Sequence, residues 1–170
     1  MARFKQQFKV KASLQATWQF HDDPVALYDL TPPPLKVKIL HKDDPLSVGS
    51  TLSFRLALFG IQPLGATWKA IYDEFNPYRE PTKQCGFIDR SLSSPFHHWV
   101  HRHRFIPNGD GTTTCVDDVT FHLTPLRGLL GDLVDYLIAY PSLILLFGFR
   151  QFQTRRILAA RSKQAHQSPA

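Results

Sequence analysis

The chain has 170 residues, 43% of them hydrophobic and 20% charged, which suits one domain with a substantial core and excludes wholesale disorder. Its net charge of +6 permits anionic partners, and where those charges sit matters more than their sum. Two cysteines, Cys85 and Cys115, exclude a disulfide framework, and no CxxC or Cys/His spacing makes a zinc site.

Met1 to Val10 carries no apolar run of the kind a signal peptide needs, so a cytoplasmic setting with free thiols is expected. Arg3 to Lys11 alternates, with Phe4, Phe8 and Val10 on one face and Arg3, Lys5, Lys9 and Lys11 on the other. This is a half-buried strand with a basic outer face. No aromatic interleaves with those lysines, so the stacking platform of a single-strand binder is missing and no nucleic-acid partner is expected. Ser13 to His21 reads as a short helix capped by Ser13, with Leu14, Trp18 and Phe20 turned inward. Pro24 suits the first turn of a second short helix, Val25 to Leu30, which Thr31-Pro32-Pro33-Pro34 ends.

Six strands are expected next, over 35–39, 52–58, 66–72, 84–90, 97–106 and 112–123. Turn signals separate them at Lys42-Asp43-Asp44-Pro45, Gln62-Pro63, Asn76-Pro77 and Asn108-Gly109-Asp110-Gly111. From Leu126 to Arg161 apolar residues recur with a helical period, at Leu126, Leu130, Leu133, Leu137, Ile144 and Phe147 or Gly148. One long helix with a joint at Pro141 is expected, its core-facing positions filled by Leu137 and Ile144. Leu133 to Phe149 is apolar apart from Asp135 and Ser142 and falls just short of the ~20 residues a membrane span needs. Leu146 and Phe149 are expected on the outward side with Asp135 and Ser142. A helix apolar on every side must be covered, so Leu143, Leu146 and Phe149, flanked by Arg150, Arg155, Arg156 and Arg161, are expected to dock on a membrane surface or in a homodimer seam. Residues 1–161 form one domain, and the polar 162–170 is expected to be a disordered tail.

This order, β-α-α-β6-α, is an α+β design, and with the motifs that follow it resembles the helix-grip fold of the START-like (SRPBCC) superfamily, most closely its bacterial ligand-binding and polyketide cyclase-like branch. The matching residues are Thr31-Pro32-Pro33, the turn Leu58-Phe59-Gly60-Ile61-Gln62-Pro63, Trp68, Phe87-Ile88-Asp89, and the run Pro95, Phe96, Trp99, His101, His103 and Phe105. Asp117, Val119, Phe121, Leu123, Pro125, Gly128 and Gly131 close the match, with Phe121 in place of Tyr and one residue inserted on each side of the proline. The chain departs from that pattern in the apolar stretch Ser142 to Phe147, where relatives usually carry charges. The resemblance implies a seven-stranded curved antiparallel sheet wrapped around the last helix, with a cavity between them. It implies an apolar or amphipathic small-molecule ligand and no metal or redox cofactor, without implying an enzyme.

The hairpin over 97–123 carries the chemistry. Trp99, His101, His103 and Phe105 share one face, and the loop Gly109-Asp110-Gly111 places Asp117 opposite His103. A histidine beside a carboxylate there can orient a ligand oxygen or move a proton, or it can simply satisfy two buried polar groups and pin the register. Four histidines in seven residues, 97–103, invite a metal, but alternation splits them between faces and no carboxylate stands at a recognised ligand spacing. No metal is expected.

The residues expected to line the cavity are Phe54, Leu56, Trp68, Tyr72, Phe87, Trp99, His101, His103, Asp117, Phe121 and Leu137. The function expected is carriage or sequestration of a lipid, isoprenoid, pigment or polyketide. The alternatives are a cyclase or dehydratase using His101 or His103 with Asp117 as its acid/base pair, and an interaction module working through the apolar helix.

Overall fold

The computed structural model describes residues 1–81, 83–126 and 128–167. The chain runs β1 (Ala2–Val10), α1 (Leu14–His21), α2 (Ala26–Leu30), β2 (Leu35–Lys42), β3 (Thr51–Leu58), β4 (Gly65–Asn76), β5 (Cys85–Ser93), β6 (His98–Pro107), β7 (Thr113–His122), α3 (Leu129–Val134) and α4 (Tyr140–Gln167). The seven strands form one antiparallel sheet in the order β1-β7-β6-β5-β4-β3-β2. This is the α+β architecture expected from the sequence.

Local chemistry explains the elements. Ser13 Oγ accepts the Ala16 N–H at 3.2 Å, which satisfies one orphan donor at the start of α1. Phe4, Phe8 and Val10 are buried, so the β1 alternation sets which face meets the core. The last hairpin has the predicted register, with His103 opposite Asp117 and Trp99 opposite Phe121.

The C-terminal helix is jointed, as expected, but through a π-helical turn at Asp135–Ala139 that precedes Pro141. There the Tyr140 N–H donates to the Asp135 carbonyl five residues back. This wider turn leads into Pro141, which has no N–H to give to the ladder, and Ser142 Oγ donates to the Ile138 carbonyl at 2.9 Å. The helix then continues to Gln167, so 162–167 extend it, while 168–170 lie outside the described residues.

The face that this helix buries is the reverse of the one its leucines suggest. Leu137 is 67% exposed and Ile144 51%, while Asp135 is fully buried and Leu143 is only 2% exposed. Gly131, Asp135, Ala139, Leu143 and Phe147, four residues apart, form the buried stripe, which Thr154 and Leu158 continue. Polar anchoring accounts for the reversal. Asp135 accepts the Leu123 N–H at 2.7 Å and a bond from His122 Nδ1, and either would be orphaned if the helix rolled over. Gly131 permits the approach, since a Cβ there would stand 2.2 Å from the Leu126 carbonyl oxygen and 2.9 Å from the His122 ring. Further along, Gln6 donates to the Phe147 carbonyl at 3.0 Å and Arg155 to that of Lys9 at 3.1 Å, which ties α4 to the β1 edge.

Two apolar clusters result. One gathers Trp18, Phe54, Tyr72, Phe87, Phe105 and Leu158 under α1; the other gathers Phe4, Trp99, Phe121, Leu143 and Phe147 under α4. By length and composition alone Leu129–Gln164 would suffice to cross a membrane, a test that core helices also pass.

Candidate ligand-binding site

Between the sheet and α4 lies a cavity of about 840 Å³, within the range of small-molecule sites. Phe54, Leu56, Trp68 and Tyr72 reach it from β3 and β4, Phe87 from β5, and Trp99, His101 and His103 from β6. Alternation brings these side chains to one face of the sheet, and strand pairing brings them side by side. Phe54 and Trp68 stack with ring centroids 5.9 Å apart, and Trp68 meets Trp99 edge-on at 5.1 Å. Such aromatic walls offer a flat hydrophobic ligand large contact at little entropic cost.

Three of the expected lining residues stand elsewhere. Leu137 faces outward. Phe121 is fully buried in the cluster beneath α4, and Asp117 lies behind the histidines rather than at the cavity wall. The outward docking set is also redrawn, because Leu143 and Leu146 both line the cavity from α4. Apolar residues that this helix turns outward include Leu129, Leu130, Leu133, Tyr136, Leu137, Ile138, Ile144 and Phe152.

At the polar end of the cavity, two imidazoles lie between two carboxylates. His101 Nε2 stands 3.2 Å and His103 Nδ1 3.0 Å from the same oxygen of Asp117. On the other side His101 Nδ1 is 3.8 Å and His103 Nε2 3.9 Å from Asp89 Oδ2. Burial alone would raise the Asp117 carboxyl, but the hydrogen bonds and charges of His101 and His103 hold it well below the usual carboxylate range. Burial outweighs that carboxylate at both imidazoles and lowers both, His103 being lowered further by the charge of His101. Burial thus disfavours the charged form of both rings, while their contacts favour the charged form of Asp117.

Asp89 is pushed up to about 6 by burial, an effect opposed by His103, by Arg150 and by a hydrogen bond from the Trp99 indole. Arg150 on α4 completes the polar end. Burial lowers its guanidinium and the charges of Asp117 and Asp89 oppose that, while its Nε has no hydrogen-bond partner among the described residues. His21, from α1, also reaches the cavity and is lowered to about 4 by burial.

Asp89, Arg150 and His21 are the site residues that sequence reasoning missed. Asp89 sits in the Phe87-Ile88-Asp89 motif and pairs with His101 across the sheet, a proximity set by strand register rather than by ligand spacing in the sequence. A carboxylate does therefore accompany the histidines, contrary to the expectation from spacing. Asp89, His101 and His103 each turn one donor atom inward, all within 4.8 Å of one another. His97 and His98 take no part and border a separate, smaller cleft with His122. Both cysteines are free and buried.

No known family model matches the chain, and neither does any curated protein. Solved structures do match. The ZhuI aromatase/cyclase from Streptomyces sp. R1128 superposes with a TM-score of 0.60 at 20% identity, covering 94% of this chain and 97% of that one. Norcoclaurine synthase from Thalictrum flavum gives 0.63 at 14% identity, covering 95% and 96%, and Ara h 8.0201 gives 0.59 at 13%, covering 89% and 97%. At these identities the likeness is one of fold. The seven-stranded antiparallel sheet closed over a long C-terminal helix, shared along nearly the whole length of each of these proteins, is the helix-grip fold.

Proposed function

We propose that the protein binds one small amphipathic molecule, a rigid polycyclic or isoprenoid body with an oxygen-bearing polar end, between the sheet and α4. The observation that carries this reading is the division of the cavity into an aromatic and aliphatic wall and one polar end holding Asp89, His101, His103 and Arg150. Burial of apolar ligand surface supplies affinity at ~25 cal/mol per Å². The Arg150 guanidinium, which lines the cavity, supplies a charge-assisted donor for an acidic or carbonyl oxygen. Two solved structures of this fold, an aromatase/cyclase and a norcoclaurine synthase in complex with a transition-state analogue, support the reading.

Mass spectrometry of protein purified without detergent, first native and then after organic extraction, tests the reading. One small molecule per chain, lost on Leu56→Trp substitution, is the expected result. Protein that is empty and also fails to take up apolar fluorescent probes would refute it. A second reading, cyclisation or dehydration with the histidine–aspartate cluster as acid and base, is favoured by the placement of that cluster at the cavity wall. It requires turnover of the extracted compound, and a single bound molecule that never changes would remove it.

A further inference from the structure

The two sides of the imidazole pair differ. Toward Asp117, both contacts have hydrogen-bond length, at 3.2 and 3.0 Å. The nitrogen that each ring turns away from Asp117 faces Asp89. Its partners there stand at 3.8 and 3.9 Å, beyond hydrogen bonding. Three potential metal donors, Asp89 Oδ2, His101 Nδ1 and His103 Nε2, thus stand within 4.8 Å of one another.

We infer that Asp89, His101 and His103 form a binding site for a divalent transition-metal ion whose open coordination positions face the cavity. In a tetrahedral centre with metal–ligand bonds near 2.0–2.1 Å, neighbouring donor atoms lie about 3.3 Å apart, so the two histidine–Asp89 spacings of 3.8 and 3.9 Å close by about half an ångström on binding, while the two ring nitrogens start within 4.8 Å of each other. Two imidazoles and one carboxylate suit zinc or ferrous iron, and three protein ligands leave positions for an outside oxygen. Asp117, 3.2 and 3.0 Å from the other nitrogens of the two rings, is the outer carboxylate that orients them, the usual partner of a metal-bound histidine.

Asp89, His101 and His103 all line the cavity while Asp117 does not, so the metal would meet the ligand directly. Charge fits as well. Asp89 and Asp117 against Arg150 leave the buried cluster one negative charge in excess, and a divalent ion turns this into one positive charge, matched by an anionic enolate or carboxylate oxygen. This last step, the ligand oxygen on the metal, rests on the cavity reading; the metal site itself stands on the three donors.

The test uses the full chain, stripped with chelator and titrated with cobalt(II), whose d–d absorption reports low-symmetry coordination by nitrogen and oxygen. One equivalent per chain with visible bands is expected, displaced by zinc. Asp89→Asn and His103→Gln should abolish the bands. Asp117→Asn should weaken binding about 10–100-fold. His41→Gln, an exposed histidine on β2, should change nothing. Absence of bands in the wild-type protein overturns the site, as does full binding by Asp89→Asn. If a variant does not fold, zinc-induced thermal stabilisation of the wild-type protein decides, and its absence overturns the proposal. An apolar fluorescent probe, titrated into the same samples, separates the two readings. Probe uptake without cobalt binding sinks the metal site alone, and cobalt binding without probe uptake sinks the cavity reading alone.

Discussion

Replacing Asp117 with Ala tests the core of the site most directly. Asp117 is 8% exposed, and its carboxylate accepts from the buried His101 at 3.2 Å and the half-buried His103 at 3.0 Å. Truncation removes two charge-assisted bonds and leaves two ring N–H groups without an acceptor, each costing about 1–3 kcal/mol. Relief of one buried carboxylate's desolvation returns part of this, which leaves a net loss of about 4 kcal/mol, typical of breaking a buried polar pair from one side. In a domain of this size that lowers the melting temperature by roughly 8–16 °C. Denaturant unfolding followed by tryptophan fluorescence at neutral pH reads it. Asp117→Asn, which still offers one carbonyl oxygen, should recover part of the loss. A change below about 1 kcal/mol for Asp117→Ala would refute the claim that this carboxylate holds the histidines, since scattered surface substitutions give no more.

The reversed helix face makes a paired prediction. Phe147→Ala should cost about 3–5 kcal/mol, and Leu137→Ala, on the outward side, no more than about 0.5 kcal/mol, as read by the same unfolding curves; equal costs would restore the leucine face. The His122 imidazole is raised above its ordinary 6.5, mainly by the hydrogen bond to Asp135. Its contribution to stability is therefore full below 6.5 and lost as pH rises through the raised value. The stability gap between the wild-type protein and His122→Gln, followed across that range, should narrow as pH increases, and a gap that widens contradicts the pairing. Burial pushes the Cys85 thiol up to about 12 and Cys115 higher still. Neither thiol should react with a disulfide reagent at neutral pH until the chain is unfolded, and rapid labelling of the native protein would show the burial to be wrong.

How the sequence divides from the tertiary structure is clearest in two places. Strand alternation is a local property, because successive side chains must point to opposite faces. Phe4, Phe8, Phe54, Trp99, His101 and His103 could therefore be assigned to one side of a sheet from their spacing alone. The hairpin turn likewise set His103 against Asp117, since a loop length fixes a register. Helix count, element order and the α+β class follow from the same short-range rules.

What lies beyond those rules depended on which strands became neighbours and on which polar groups needed partners. Asp89 joined the histidines because β5 pairs with β6, a long-range choice that no spacing encodes. Hydrophobic periodicity named the Leu137 and Ile144 face of the last helix as the buried one. The fold instead buries Asp135, Ala139, Leu143 and Phe147. On a helix apolar on every side, burying either face gains similar area, so hydrophobicity does not discriminate between them. The few strong directional bonds do, and Asp135 with His122 and Leu123 decides which way the helix rolls. That roll turns Leu143, Leu146 and Arg150 toward the sheet and completes the cavity between them.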